Sequence, residues 1–411
     1  MHRQVLLLST TQALFQTGPV LVMTIGGLAG AMIAPRPELA TAPVAAMMLG
    51  TTLGTVPASI WMARAGRRPG FIFGALSGMT GALAAAAGIW AGSLLLLSLG
   101  TFLIGLYQSF AQFYRFAASE VADVTFRPCA ISLVMAGGVA AAFLGPALAR
   151  TGGPLLTPAY TGSFLMLALV SLIAVVLLFG LRVPRPAPRA EGADGGRPLL
   201  AILRQPAYAV ALFGAATGGG VMILAMTATP LAMTHHQHHL SDTALVIQLH
   251  VLGMFLPSFF TGSLIARFGV LRIMASGVAL LAGHVLLSLS GTGFASFASA
   301  LVLLGIGWNF LYIGGTALLT ETYSEAEKGR AQAMNDLTIF ATSLICALGA
   351  GVLHQLFGWQ MLNLMLLPWL GLAAAALLWL ASRRRLASET REREARVLAG
   401  ILAERKDIPY T

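Results

Sequence analysis

The sequence predicts an all-α membrane protein of twelve transmembrane helices, built as two pseudo-symmetric six-helix bundles. Three observations predict it: an apolar content too large for a soluble fold, apolar stretches of helical span length from end to end, and an internal duplication. Of 411 residues, 57% are hydrophobic and only 10% are charged, against about 25% charged in soluble domains. Each apolar stretch holds roughly twenty residues, enough to cross a hydrocarbon core of about 30 Å as a helix.

The spans fall at 11–34, 43–62, 70–89, 94–114, 128–148, 160–181, 206–230, 243–265, 270–290, 295–319, 331–353 and 361–382. The first is too long for a signal-peptide core and is followed by Pro35-Arg36-Pro37, so it reads as an uncleaved span. An even number of spans puts both termini on one side. Assigning that side to the cytoplasm places 23 of the 25 Lys and Arg residues there and leaves Arg36 and Arg150 opposite, the asymmetry of the positive-inside rule. The net charge of +10 is thereby explained by topology, and nucleic acid is not an expected partner. Membrane lipid is.

Residues 182–205 have the Pro, Gly and charged composition of a linker. They divide an N-terminal bundle (1–181) from a C-terminal bundle (206–382). The tail, 383–411, opens with Arg383-Arg384-Arg385 and reads either as a charged helix on the anionic leaflet or as a solvated extension. Cys129 and Cys346 are far apart and each falls in a span, which argues against a disulfide or a cysteine metal site. A monomer is expected.

Ala63-Arg64-Ala65-Gly66-Arg67-Arg68 follows span 2, and Ala266-Arg267-Phe268-Gly269 follows span 8, offset by 203 positions. Glu120, Arg127 and Ala130 match Glu321, Lys328 and Ala331 at an offset of 201. Repeats related by an axis along the membrane normal are a transporter architecture. These segments resemble the cytoplasmic signature of the major facilitator superfamily, as does glycine-rich span 5 with Gly137, Gly138, Gly145 and Pro146. Both loops depart from the signature, since Ala63 and Ala266 stand where it has Asp. The resemblance implies a gating role for Arg64, Gly66, Arg67, Arg68, Arg267 and Gly269. Glycine permits the tight turn and arginine can tie to helix carbonyl ends, and all the arginines also serve as positive-inside anchors. For the span 5 glycines, close helix packing is expected.

Ionisable groups inside the hydrocarbon are costly and are functional candidates by default. Few occur here. Asp336 lies within span 11, and His250 and His284 lie in spans 8 and 9. Asp336 and His250 are the candidates for proton coupling.

His250-Val251-Leu252-Gly253-Met254 on span 8 faces Met222-Ile223-Leu224-Ala225-Met226 on span 7. The i, i+4 spacing puts each pair on one helix face, and counting from the intervening turn places all four at a common depth, roughly 10–18 Å in. Three thioethers and an imidazole form a soft, carboxylate-free set suited to copper. Met is also a common gap filler, and Met361 and Met365 show the same spacing without an evident partner. The turn after span 7, Thr234-His235-His236-Gln237-His238-His239, is rich in imidazole, and such tracts bind transition metals. His235, His236, His238 and His239 with Met233 are therefore a candidate metal entrance.

This four-residue pattern resembles the CcoA-like copper importers of bacteria within the major facilitator superfamily. The resemblance implies copper as the transported substrate, import by alternating access, and supply of copper for cytochrome oxidase assembly, with no resident cofactor. Relatives lacking the pattern look like organic-solute or riboflavin transporters. The rival expectation is thus a carrier of an organic solute, by import or drug efflux, using Gln12, Gln16, Tyr107, Gln108, Gln112, Trp308 and Asn309 in a central cavity. A copper sensor that moves nothing is a third reading. No nucleophile–base grouping or cofactor loop suggests an enzyme. The Arg-, Ala- and Gly-rich composition fits a GC-rich bacterium and its inner membrane.

Overall fold

The computed structural model describes residues 2–123, 127–183, 197–324 and 327–406. Linker residues 184–196 and the side chains of Ala63, Cys129 and residues 391–411 lie outside the described residues. Sixteen α-helices follow one another, and no strand occurs among the described residues. In the N-terminal half these are α1 (His2–Leu21), α2 (Gly27–Ile33), α3 (Ala42–Ala65), α4 (Arg67–Trp90), α5 (Leu94–Ala111), α6 (Tyr114–Val121), α7 (Arg127–Gly152) and α8 (Thr161–Phe179). A short α9 (Leu199–Leu203) leads to α10 (Pro206–His235), α11 (Leu240–Phe255), α12 (Ser258–Phe268), α13 (Val270–Leu289), α14 (Phe294–Thr320), α15 (Lys328–Leu364) and α16 (Leu366–Lys406).

Among the described residues, ten stretches are long and apolar enough to span a membrane. One of them, Arg330–Thr390, has 61 residues, about 90 Å of helix and three times the hydrocarbon thickness. It takes in most of α15 and the first part of α16 and is broken at Gly358, where φ is 72°. It is therefore two spans. The pair α11 and α12, bent by 42° at Pro257, which supplies no backbone donor, completes the twelve.

Two other spans carry breaks that matter for the cavity. Pro19 lies inside α1, and a π turn, Val22–Gly26, joins α1 to α2; insertions of this kind commonly mark functional sites. Span 4 is interrupted at Gln112 and Phe113 and resumes as α6.

Within the first half, α4 packs on α5 and α8, α3 on α5, and α1 on α7; within the second, α13 packs on α14, α10 on α15, and α11 on α14. The halves meet where α7 crosses α11 and α3 crosses α15. Gly138 permits the first crossing, since a Cβ there would lie 2.7 Å from the Phe255 ring. Gly137 turns instead to α1, against Ala13 and Ser9, so this glycine pair serves helix approach on two sides.

At the end away from the termini, Gly351 of α15 rests on Glu38 and Thr41, and Gly27 of α2 rests on Thr227 and Leu231 of α10. These contacts join the two halves there. At the terminus-bearing end, two ion pairs among the described residues each lie within one half. Arg67 binds Glu120 at 2.8 Å and Arg384 binds Glu321 at 2.7 Å. Glu120 and Glu321 are equivalent in the repeat, but the position equivalent to Arg67 is Val270, so Glu321 takes its cation from α16.

Gly66 and Gly269 have φ of 96° and 86°, a backbone conformation that side chains with a Cβ disfavour. Arg68 donates to the Phe179 carbonyl at the last turn of α8, where a cation also meets the negative end of the helix dipole. Arg267 lies over the Phe268 ring, and Arg64 is exposed.

Candidate substrate-binding cavity

A cavity between the halves is lined by α1, α3, α5, α6 and α7 on one side and by α10, α11, α14 and α15 on the other. Its surface has three chemical zones. Seven methionines contribute: Met23, Met47, Met48, Met135, Met222, Met226 and Met254. Gln12, Gln16, Gln108 and Gln112 supply amides from the first half. Phe255, Trp308, Tyr312 and Phe340 supply rings from the second.

The aromatic zone is ordered by helix geometry. Trp308 and Tyr312 stand one turn apart on α14, and their rings stack with centroids 4.9 Å apart and planes 13° apart. Phe255 meets Trp308 edge-on at 6.4 Å. Gln108 accepts a hydrogen bond from Thr51 at 3.2 Å, which fixes its amide while leaving the NH₂ group to donate.

Two charges also line the cavity, Arg115 from α6 and Asp336 from α15. Arg115 interacts with the Tyr312 ring hydroxyl and with Asp336. Its guanidinium lies 4.9 Å over the Phe116 ring, and its buried Nε has no protein partner. The sequence reading ended span 4 at residue 114 and counted Arg115 among loop charges. Buried Tyr114, Ala117 and Ala118 show that the chain is still packed inside the protein there.

Of the four residues expected to share a metal, Met222, Met226 and Met254 reach the cavity. His250 does not line it. Its imidazole is fully buried against α14, with Nδ1 2.8 Å from the Leu301 carbonyl and Nε2 unpartnered. Helical spacing correctly put His250 and Met254 on adjacent turns but carried no information about which neighbour the ring contacts. His284 mirrors it, with Nδ1 3.0 Å from the Ala300 carbonyl.

The histidine turn is likewise divided. His235 and His236 have ring centroids 5.3 Å apart, while His238 Nε2 binds the Thr292 carbonyl at 2.8 Å and His239 caps α11 with Asp242. Partial burial, and then the neighbouring His235 and His238, hold the His236 pKa below its ordinary value. Met233 is buried in α10 and does not line the cavity. His354 on α15, which the sequence reading did not single out, packs 6.5 Å from His235. Among the described residues no three His, Cys, Asp or Glu side chains are placed to hold a metal ion.

Of the residues expected to serve an organic solute, Gln12, Gln16, Gln108, Gln112 and Trp308 do line the cavity. Tyr107 is buried on Tyr114, hydroxyl to hydroxyl at 3.3 Å. Asn309 is buried too, donating to the Met254 carbonyl and Ser258 Oγ at 2.7 Å and accepting from Thr261 at 2.6 Å. Both polar groups are spent on structure.

A family model described as Major Facilitator Superfamily matches residues 5–257 and 211–408. The chain belongs to the major facilitator superfamily. Among superfamily relatives, the chain is 42% identical over 380 residues to the riboflavin transporter RfnT of Brucella anthropi, covering 92% of this chain and 95% of that protein. It is 31% identical to the uncharacterized transporter YddS of Bacillus subtilis, over 77% of each chain. The crystal structure of a bacterial homologue of the human lysosomal transporter Spinster superposes with a TM-score of 0.69 at 15% identity, covering 92% and 96% of the two chains; that likeness concerns the fold. The superfamily part of the sequence resemblance therefore holds, and the chain is a multi-pass membrane transporter. The copper-importer part does not gain support, because the relative at 42% identity is a riboflavin transporter.

Proposed function

We propose that the chain imports riboflavin, or a flavin of closely related structure, across the bacterial inner membrane by alternating access. The observation that carries this reading is the stacked Trp308–Tyr312 wall set across one cavity from four glutamines. A flavin has a flat aromatic ring system that stacks on such a wall, with rings favouring offset contact, and a hydroxylated chain suited to amide partners. The methionines complete an apolar, deformable lining. The RfnT similarity over nearly the whole of both chains points the same way.

The positive-inside pattern supports a cytoplasmic position for the terminus-bearing end. The contacts of Gly351 and Gly27 between the halves then fall on the periplasmic side, which supports a state suited to release inward. Asp336 is the carboxylate positioned to exchange a proton during the cycle, since it lines the cavity and His250 does not. Copper import, the reading suggested by Met222, Met226, His250 and Met254, keeps in its favour the three thioethers that share the cavity and the unpartnered Nε2 of His250.

Expression in a bacterial strain unable to make riboflavin tests the proposal. Growth at micromolar riboflavin, dependent on the intact chain, is expected; growth no better than the vector control argues against flavin import.

A further inference from the structure

Arg115 and Asp336 are the two charged side chains lining the cavity, and they come from opposite halves of the transporter. They share one cavity lining, near enough for the Arg115 charge to act on the Asp336 carboxyl, and no contact ion pair joins them among the described residues. Each retains bonding capacity. Arg115 has a buried Nε that meets no protein acceptor, and among the described residues the Asp336 carboxylate accepts from the amide of its chain neighbour Asn335 at 3.2 Å, which leaves it further lone pairs.

A guanidinium only donates and an ionised carboxylate only accepts. A ligand edge that satisfies both must carry an acceptor and a donor side by side in one plane. It must also continue into a flat ring system, because Arg115 interacts with Tyr312 and Tyr312 continues the stack onto Trp308. A cyclic imide fused to an aromatic system meets both demands, presenting C=O beside N–H.

We infer that Arg115 and Asp336 together recognise the imide edge of the flavin pyrimidinedione ring, Arg115 donating to a ring carbonyl and Asp336 accepting from the ring N–H. This assignment rests on the flavin reading and makes it specific. It orients the ligand with its ring against α14 and its ribityl chain toward the glutamines. It also gives the substrate a mechanical role, because a ligand held by α6 and α15 at once joins the two halves. Buried polar groups built to bond a particular N–H reject an analogue that lacks it more strongly than an apolar pocket rejects a missing methylene.

The test is binding to the purified full-length protein in detergent, using riboflavin and 3-methylriboflavin, whose imide nitrogen carries no hydrogen. The methyl analogue is expected to bind at least about tenfold more weakly, the scale of one lost hydrogen bond to a charged group. Asp336→Asn is expected to reduce that discrimination to under about threefold, and Arg115→Gln to weaken riboflavin about tenfold with partial recovery in Arg115→Lys. Equal affinity for the two flavins in the unaltered protein overturns the imide assignment and leaves the flavin reading standing. Full discrimination retained in Asp336→Asn overturns the role of Asp336. No measurable riboflavin binding overturns both the assignment and the function it rests on. The comparison of analogues needs no variant, so misfolding of a substituted protein cannot obscure it.

Discussion

Trp308 and Tyr312 stack with ring planes 13° apart, one helical turn from each other on α14, and both line the cavity between the two halves. This pairing presents a flat aromatic face, whereas Phe255 meets Trp308 edge-on. Replacing Trp308 by Ala removes that face while leaving α14 intact, since Ala is the strongest helix former. Riboflavin affinity is expected to fall about two- to tenfold, matching roughly 0.5–1.5 kcal/mol for an aromatic pair, and Trp308→Phe should lose less. Titration calorimetry on the purified variants reads both.

Asn309 ties the bend of span 8 to α14 through bonds to the Met254 carbonyl, Ser258 and Thr261. Asn309→Leu leaves those buried partners unsatisfied, at about 1–3 kcal/mol. The expected outcome is a lower Tm in detergent, with any loss of transport following from lost stability. An unchanged Tm would show that the network contributes nothing.

Gly138 lets α7 approach α11, and a Cβ there meets the Phe255 ring at 2.7 Å. Gly138→Val is expected to push Phe255 and, through it, Trp308 out of place. Overpacking of this kind costs about 1–3 kcal/mol, and here it falls on a surface that must move. Uptake rate should drop more than Tm does; Gly262→Ala, which meets open space, should change neither.

Glu327 anchors the end of the linker, binding Arg197 at 2.8 Å and accepting from the Ser324 backbone at 3.0 Å. The Arg197 side chain first, then the backbone donors of Ser324 and Arg197, hold its pKa well below the ordinary carboxylate range. A carboxylate depressed in the folded state contributes stability above its unfolded pKa, about 4.3, and loses it as pH falls through the folded value. Glu327→Gln should therefore lower Tm at pH 7, and the gap to the unaltered protein should narrow below about pH 4. A gap that is constant with pH would assign the effect to packing.

The twelve spans and the two halves were legible because hydropathy and the Gly66–Gly269 repeat both survive in the sequence. The cavity was half legible. Glutamines at 12, 16, 108 and 112 and the indole at 308 stand out as polar or aromatic groups in apolar helices, and the structure gathers them. Tyr107 and Asn309 looked the same in sequence, yet their polar atoms are satisfied inside the protein. Arg115 was missed because hydropathy averages over a window and ended span 4 at residue 114, whereas α6 carries the packed chain on past the break at Gln112 and Phe113, to Ala118 and beyond. His250 lies off the cavity lining for a different reason. An i, i+4 pair fixes a common helix face but not which neighbour a ring contacts, and here Nδ1 meets a carbonyl on α14 while Nε2 stays unpartnered.

The most direct measurement is uptake of radiolabelled riboflavin by the purified protein in sealed vesicles. The proposed function predicts saturable accumulation above protein-free vesicles, competed by unlabelled flavin and indifferent to copper. Absence of flavin accumulation, with copper entering the same vesicles, would contradict it.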